Sequence, residues 1–453
     1  MNVCGAETIY LKNGRTIVAD SAQENNNRVV YTIGENTFAI PKSSVERIDT
    51  GGTPVVTQRE SVSLEPPNEA PLTADAELMG HVVRNGKVDV EALGRIEQAG
   101  LSMQSAAANY FAAQHERANG SLEAATRYMQ RAWNFLPDNA GLAGNYASLL
   151  AEMGRFSEAV AAAQHAINIG PNAAFGYTVL GYAEYHLGKM KEAQRSLKKS
   201  LELQPDEQTR SVLAKVERDL NAEGNFTEQS SSHFTLHYEG GQAPVTFRRQ
   251  ILDVLESHFT DLTQDLDYLP RESIQVVLYT NQQFFDVTQA PKWTGAINDG
   301  KLRIPISGLS SVDSQLSRVL KHELTHSFIN LMSRGRAPNW LHEGVAQMEE
   351  PRNSASNGRR LSILYNGGHN IPLNELEGPF LHFSAEEAHV AYAQSLVSVE
   401  YIRDTYGMSS VTDVLKRIGQ GQSAEAALRA SIHSGYSQFE REITDWLRRT
   451  YGN

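Results

Sequence analysis

Gly120-Ser121-Leu122-Glu123-Ala124-Ala125, Gly154-Arg155-Phe156-Ser157-Glu158-Ala159 and Gly188-Lys189-Met190-Lys191-Glu192-Ala193 are one pattern written three times, at a step of 34 residues. Pro137, Pro171 and Pro205 keep the same step, and Ala113, Ala147 and Gly181 fill another small-residue position. The physics fits these positions. Small residues let two antiparallel helices approach closely, glycine turns the chain between them, and proline stops the second helix before the next unit begins. Three such units are about the minimum that buries a continuous core. Residues 106–207 therefore predict a stacked helical array with units at 106–139, 140–173 and 174–207, and Glu207 to Leu220 predicts a capping helix.

The period resembles that of the tetratricopeptide repeat. Asn145-Tyr146, Phe156 and Gly181-Tyr182 follow that family's pattern, and Ala106 to Tyr110 departs from it. The resemblance implies an α-helical solenoid whose concave groove takes a peptide or a protein partner. A rigid spacer is the alternative.

Working outward toward the N-terminus, helical periodicity begins near Ala74, so the array is expected over 75–222. Gly51-Gly52, Pro54, Pro66-Pro67 and Pro71 mark 51–74 as a linker. Residues 1–50 read as short β-rich runs separated by turns, among them Ile9-Tyr10-Leu11, Thr16-Ile17-Val18, Val29-Val30-Tyr31 and Thr37-Phe38-Ala39-Ile40. Five strands in so short a segment predict a small all-β barrel of the SH3-like or Sm-like kind, which closes its edges. Five Lys/Arg against six Asp/Glu in that segment argue against an RNA-binding barrel and for a docking or spacer module.

Whole-chain composition agrees. Across 453 residues, 41 Lys and Arg stand against 53 Asp and Glu, a formal net charge of −12, which disfavours electrostatic binding of nucleic acid. Forty per cent hydrophobic residues suffice for buried cores, and no apolar run reaches the ~18 residues that cross a bilayer, so no integral membrane segment is expected. The single cysteine, Cys4, excludes an intrachain disulfide and a thiolate zinc cluster. Cys4, Gly5 and Ala6 before Glu7 suit the tail of a signal peptide whose upstream part is missing, which would place the protein in the periplasm or outside the cell. Otherwise the cytoplasm is expected.

Beyond the array, Glu223 to Ser232 reads as a polar joint, and residues 233–453 as a mixed α and β domain. Phe234 to Tyr238 alternates like a strand, Phe247 to Leu266 has helical spacing, and Ile274 to Tyr279 suits a buried strand. Gly295-Ala296-Ile297 and Leu302-Arg303-Ile304 flank Asn298-Asp299-Gly300 as a hairpin. On the next helix the chain reads Lys321-His322-Glu323-Leu324-Thr325-His326. Residues four apart stack on one helical face, so His322 and His326 can aim imidazoles at one cation, and Glu323 can reach a water held there. Leu316, Leu320, Leu324, Phe328 and Leu331 predict the core stripe; Ser314, Arg318, Lys321 and Thr325 predict a solvated edge.

Two histidines hold zinc poorly, and a third ligand is needed. Pro338-Asn339-Trp340-Leu341-His342-Glu343-Gly344-Val345-Ala346-Gln347 follows, with Glu343 on a second helix starting near Trp340. This arrangement resembles the gluzincin metallopeptidases, in particular the peptidase MA-like families, over about 233–450. The resemblance implies an α+β zincin-like domain binding one Zn2+ ion. It implies His322, His326 and Glu343 as zinc ligands and Glu323 as general base.

Further roles follow from the same resemblance. Gln347 stands where gluzincins often carry a carboxylate that orients a histidine, and its amide carbonyl could accept that imidazole N–H. Thr294 to Asp299 lies where aminopeptidases carry an edge strand with an amine-binding Glu; Asn298 replaces that Glu, and an ordinary hairpin explains the segment as well. Tyr392, with His389 as substitute, is the candidate for the developing oxyanion, and a core aromatic role explains Tyr392 equally. His342 is expected at the surface or behind a ligand. The reading that results is a zinc peptidase acting on peptide or protein substrates, with two appended interaction modules; the alternative is a scaffold whose peptidase-like domain no longer cleaves.

Overall fold

The computed structural model describes residues 7–11, 16–19, 21–25, 28–33, 36–50, 64, 80–241, 243–288, 296–298, 300–306, 309–350, 352–378, 380 and 383–452. Cys4, Thr294, Gly295, Asp299 and all of the expected linker except Leu64 lie outside these residues. In the N-terminal part, strands β1 (Glu7–Leu11), β2 (Thr16–Ala19) and β6 (Val45–Thr50) form one antiparallel sheet in the order β2-β1-β6. Strands β3 (Ser21–Asn25), β4 (Arg28–Ile33) and β5 (Asn36–Pro41) form a second in the order β3-β4-β5. Among the described residues neither sheet closes, so the expected barrel is not shown; what is present is two small sheets. The polar strand Ser21–Asn25 was not anticipated because Gln, Glu and Asn have low β-propensity; its pairing with β4 runs through the backbone.

Ahead of the array, β7 (Val83–Arg84) and β8 (Lys87–Val88) make a hairpin where helix was expected. Asn85 and Gly86 turn it at φ 52° and 71°, the positive angles a two-residue hairpin requires. Helix α1 (Val90–Gln98), capped by Asp89, then leads into paired helices. The pairs are α2 (Ser102–Ala118) with α3 (Leu122–Phe135), α4 (Ala140–Glu152) with α5 (Phe156–Ile169), and α6 (Ala174–His186) with α7 (Met190–Leu203). Helix α8 (Glu207–Glu223), capped by Asp206, closes the solenoid. The repeated small residues lie where close approach demands them: Ala113, Ala125, Ala147, Ala159 and Ala193 are fully buried.

In the following domain β9 (Thr227–Ser230), β10 (Phe234–Tyr238), β11 (Ile274–Tyr279), β12 (Ile297–Asn298) and β13 (Leu302–Pro305) form one sheet in the order β12-β13-β11-β10-β9. The β10–β11 and β11–β13 pairs are parallel; the edge strands β9 and β12 run antiparallel. The polar joint of the sequence reading thus contains a strand, and its exposed Thr, Glu and Ser side chains suit an edge. The helices are α9 (Val245–Asp265), α10 (Asn281–Thr288), α11 (Ser314–Ser333), α12 (Asn339–Glu349), α13 (Gly358–Asn366), α14 (Ala385–Tyr406), α15 (Met408–Gly419), α16 (Ala424–Ile432) and α17 (Tyr436–Tyr451).

The sheet is covered on both faces. Leu236, Val276, Leu278, Leu302 and Ile304 share one core with residues of α9 and α11. The opposite face carries His237, Val277 and Arg303 in register, and there the array lies against it. Lys301 and Arg303 are buried against Asp219 and Glu223 of α8. The array's inter-helix turns meet the same domain: a Cβ on Gly120 would stand 2.0 Å from Gly421 Cα, so only paired glycines, at φ 77° and 95°, allow that approach. The array is built onto the following domain rather than hung from it.

Candidate metal centre

Helix α11 begins at an N-cap, Asp313, whose carboxylate accepts from Leu316 N at 2.7 Å, and ends at Arg334 and Gly335 with φ 56° and 71°. Leu320, Leu324 and Phe328 are fully buried, as the stripe predicts, and Leu331 is partly exposed. Thr325, expected on the solvated edge, is fully buried. Its hydroxyl donates to Lys321 O at 2.8 Å, and α11 packs against α9, α12 and α15, more neighbours than one apolar stripe serves.

The four-residue step sets the imidazoles of His322 and His326 edge to face, 4.9 Å between ring centres. Helix α12 crosses beside α11 and brings Glu343 to both: Oε2 lies 3.7 Å from His322 Nε2, and Oε1 lies 3.7 Å from His326 Nε2. One ligand atom from each residue falls within 4.8 Å of the others, a single cluster. Gly344 explains how the helix carrying Glu343 can sit so close to α14, since a Cβ there would be 2.3 Å from Ser395 O.

The electrostatics are those of a buried site. Burial pushes the Glu323 carboxyl up to about 7 and the Glu343 carboxyl up to about 8. Burial, then the nearby rings of His322 and His342, hold His326 well below the usual imidazole range. At His322 burial opposes the charge, but Glu350, Glu343 and Glu323 together hold it above that range. His326 Nε2 and both Glu343 carboxylate oxygens are buried and make no hydrogen bond among the described residues. Orphaned donors and acceptors facing one another are costly unless something binds between them. Their N and O chemistry and separation fit zinc, for which bonds of ~2.0–2.1 Å place neighbouring ligands ~3.3 Å apart.

The surrounding residues differ in part from the expected roles. Among the described residues Gln347 accepts from no histidine; its Nε2 donates to Glu343 O and Tyr392 O, both at 3.0 Å, and ties α12 to α14. Glu350 takes the place beside the histidine instead, with Oε2 3.2 Å from His322 Nδ1. The signal for it was present, since Glu350 stands seven residues after Glu343, two turns on along the same face. His342 is buried, its Nδ1 3.4 Å from His326 Nδ1. Asn298 lies on the edge strand β12 and aims its side chain at α11. Its Nδ2 donates to Glu323 O at 2.8 Å and to Ser327 Oγ at 2.5 Å, and its Oδ1 accepts from Gly300 N at 3.2 Å. Tyr392, on a helix begun by a Ser384–Glu387 capping box, is buried; burial and then Glu343 and Glu323 raise its hydroxyl well above the ordinary value. Phe380 meets its ring edge-on at 5.3 Å. His389 is half-buried one turn earlier.

Two parts of the chain match known families. Residues 256–448 match the Peptidase MA superfamily, and residues 116–179 and 176–207 match tetratricopeptide repeat families. The chain is similar to the Small glutamine-rich tetratricopeptide repeat-containing protein 2 of Saccharomyces cerevisiae (strain ATCC 204508 / S288c), 36% identical over 120 residues. That match covers 25% of this chain, which spans about a third (35%) of the relative's length. Among solved structures, the first TPR of Spaghetti (RPAP3) bound to an HSP90 peptide is 23% identical with a TM-score of 0.26, covering 26% of this chain and 94% of that one. A mutant O-GlcNAc transferase of Thermobaculum terrenum is 14% identical with a TM-score of 0.23, covering 77% of this chain and 99% of that one. The chain thus carries a Peptidase MA superfamily domain behind an array of tetratricopeptide repeats.

Proposed function

We propose that the protein is a zinc-dependent peptidase of the gluzincin type, in which His322, His326 and Glu343 hold one Zn2+ ion. The observation that carries this reading is the convergence of one ligand atom each from His322, His326 and Glu343 within 4.8 Å, with His326 Nε2 and both Glu343 oxygens buried and without hydrogen-bond partners among the described residues. Bound there, zinc supplies Lewis acidity toward a carbonyl and lowers the pKa of its water. Glu323, buried beside the ligands, takes the proton of the attacking water and returns it to the leaving amine. Tyr392, whose hydroxyl stays protonated, donates to the oxyanion that develops on the scissile carbonyl. Glu350 holds the ring of His322 in place from behind.

The array's part in this reading is to dock a protein partner or the substrate. Metal analysis of His322→Ala, His326→Ala and Glu343→Ala, alongside casein hydrolysis, tests the site. Each variant should lose zinc and cleavage together. Unchanged zinc in all three would overturn the reading.

A further inference from the structure

Leu64 lies 16 residues before the first described residue of the array region, yet it is buried to 3% exposure inside the array. It belongs to one apolar cluster with Ala147, Leu150 and Ala151 of α4 and Val179 and Ala183 of α6, the first helices of two successive units. Its backbone is held as well. Ser148 Oγ donates to Leu64 O at 2.6 Å, and Arg117 Nη2, from α2, donates to the same oxygen at 3.1 Å. Three first helices therefore act on one residue: α2 and α4 hold its carbonyl, and α4 and α6 share its apolar cluster. That combination of a backbone bond with a side-chain pocket is how extended peptides are captured.

The geometry points to Leu64 as an internal ligand of the array groove, so that an extended partner peptide binds there only by displacing this chain's own linker. The charge pattern states which peptide. Arg117 is already paired with Glu152 of α4, so its guanidinium is neutralised and offers a hydrogen bond rather than a free positive charge. Such a groove suits a neutral carbonyl inside a chain, beside a leucine-sized apolar side chain, and gives a terminal carboxylate little. Tethering works in favour of the internal ligand, since a segment joined by a short linker competes at an effective concentration on the order of millimolar. The wild-type groove is thereby closed to weak peptides and open to those that outcompete Leu64. This inference rests on docking by the array and is independent of zinc.

The test uses the full chain and a fluorescein-labelled synthetic peptide with the sequence of residues 58–70, followed by anisotropy. Leu64→Asp in the protein, a linker change that leaves the helices intact, should raise affinity for the labelled peptide at least tenfold over wild type. The peptide carrying the same change should not bind. Ser148→Ala added to Leu64→Asp should weaken binding again, and far-ultraviolet circular dichroism checks that each variant folds. Equal binding to wild type and Leu64→Asp, or no binding to either at millimolar peptide, would overturn the inference. Zinc content should be the same in every variant, so loss of this inference and loss of the peptidase reading are separable.

Discussion

Arg303 Nη2 on strand β13 donates to Asp219 Oδ2 on helix α8 at 2.7 Å, and neither side chain is more than 2% exposed. Arg303 Nη1 reaches Glu223 Oε1 at 2.9 Å, while Lys301 Nζ lies 2.9 Å from Glu223 and 3.2 Å from Asp219. Tyr185 from α6 donates to Asp219, and Tyr279 from β11 donates to Glu223. Two positive and two negative charges are therefore balanced in a site closed to water, half from the array and half from the sheet. Removing one member leaves an uncompensated buried charge, which costs about 3–5 kcal/mol. Arg303→Met and Asp219→Ala should each lose that much in urea unfolding. A loss under 1 kcal/mol in both would mean the cluster is solvated in solution.

The same cluster bears on trimming. A chain beginning at Gly224 keeps Lys301 and Arg303 but lacks both of their carboxylates, and it bares a sheet face built to be covered. It should come out aggregated by size-exclusion chromatography and without zinc. A monomeric, cleaving fragment would reduce the array to an appendage.

From the edge strand β12, the buried side chain of Asn298 bonds to the His-bearing helix. Asn298→Ala removes its bonds to Glu323 O, Ser327 Oγ and Gly300 N while Glu323 O keeps its helical partner, at a cost of about 0.5–1.5 kcal/mol for each bond lost. The ratio of cleavage rates for one peptide with its N-terminus free and acetylated should stay as in wild type. A changed ratio would give Asn298 a role at the substrate end.

Much of this was legible in the residues. The 34-residue step gave the array, the four-residue step gave His322 and His326 one face, and Pro338 with Trp340 gave the start of the helix carrying Glu343. The departures share a cause. Thr325 was read from one helix's periodicity, which cannot count the helices that will pack on it. Nothing local marked Lys301 and Arg303 for burial, because their partners Asp219 and Glu223 lie some 80 residues earlier on a helix of another unit. Leu64, in a proline-rich linker, gave no local signal; its pocket is made by three helices far along the chain.

Glu350 is placed to orient His322, where Gln347 was expected to serve. Outer partners of metal ligands are worth about 10–100-fold in metal affinity. Glu350→Gln should weaken zinc binding within that range in competition with a chelating dye, with the fold retained. Zinc affinity unchanged in Glu350→Gln and lowered in Gln347→Ala would return the role to Gln347.

The central claim is that this site binds zinc and that Glu323 handles the proton. The direct measurement is bound zinc by atomic emission together with casein hydrolysis, for wild type and Glu323→Gln side by side. The account predicts one zinc per chain in both, and a loss of hydrolysis in Glu323→Gln of about 10²–10⁴-fold, the usual worth of a general base. Wild-type protein that stays folded and metal-free in zinc buffer, or Glu323→Gln that cleaves as fast as wild type, would contradict it.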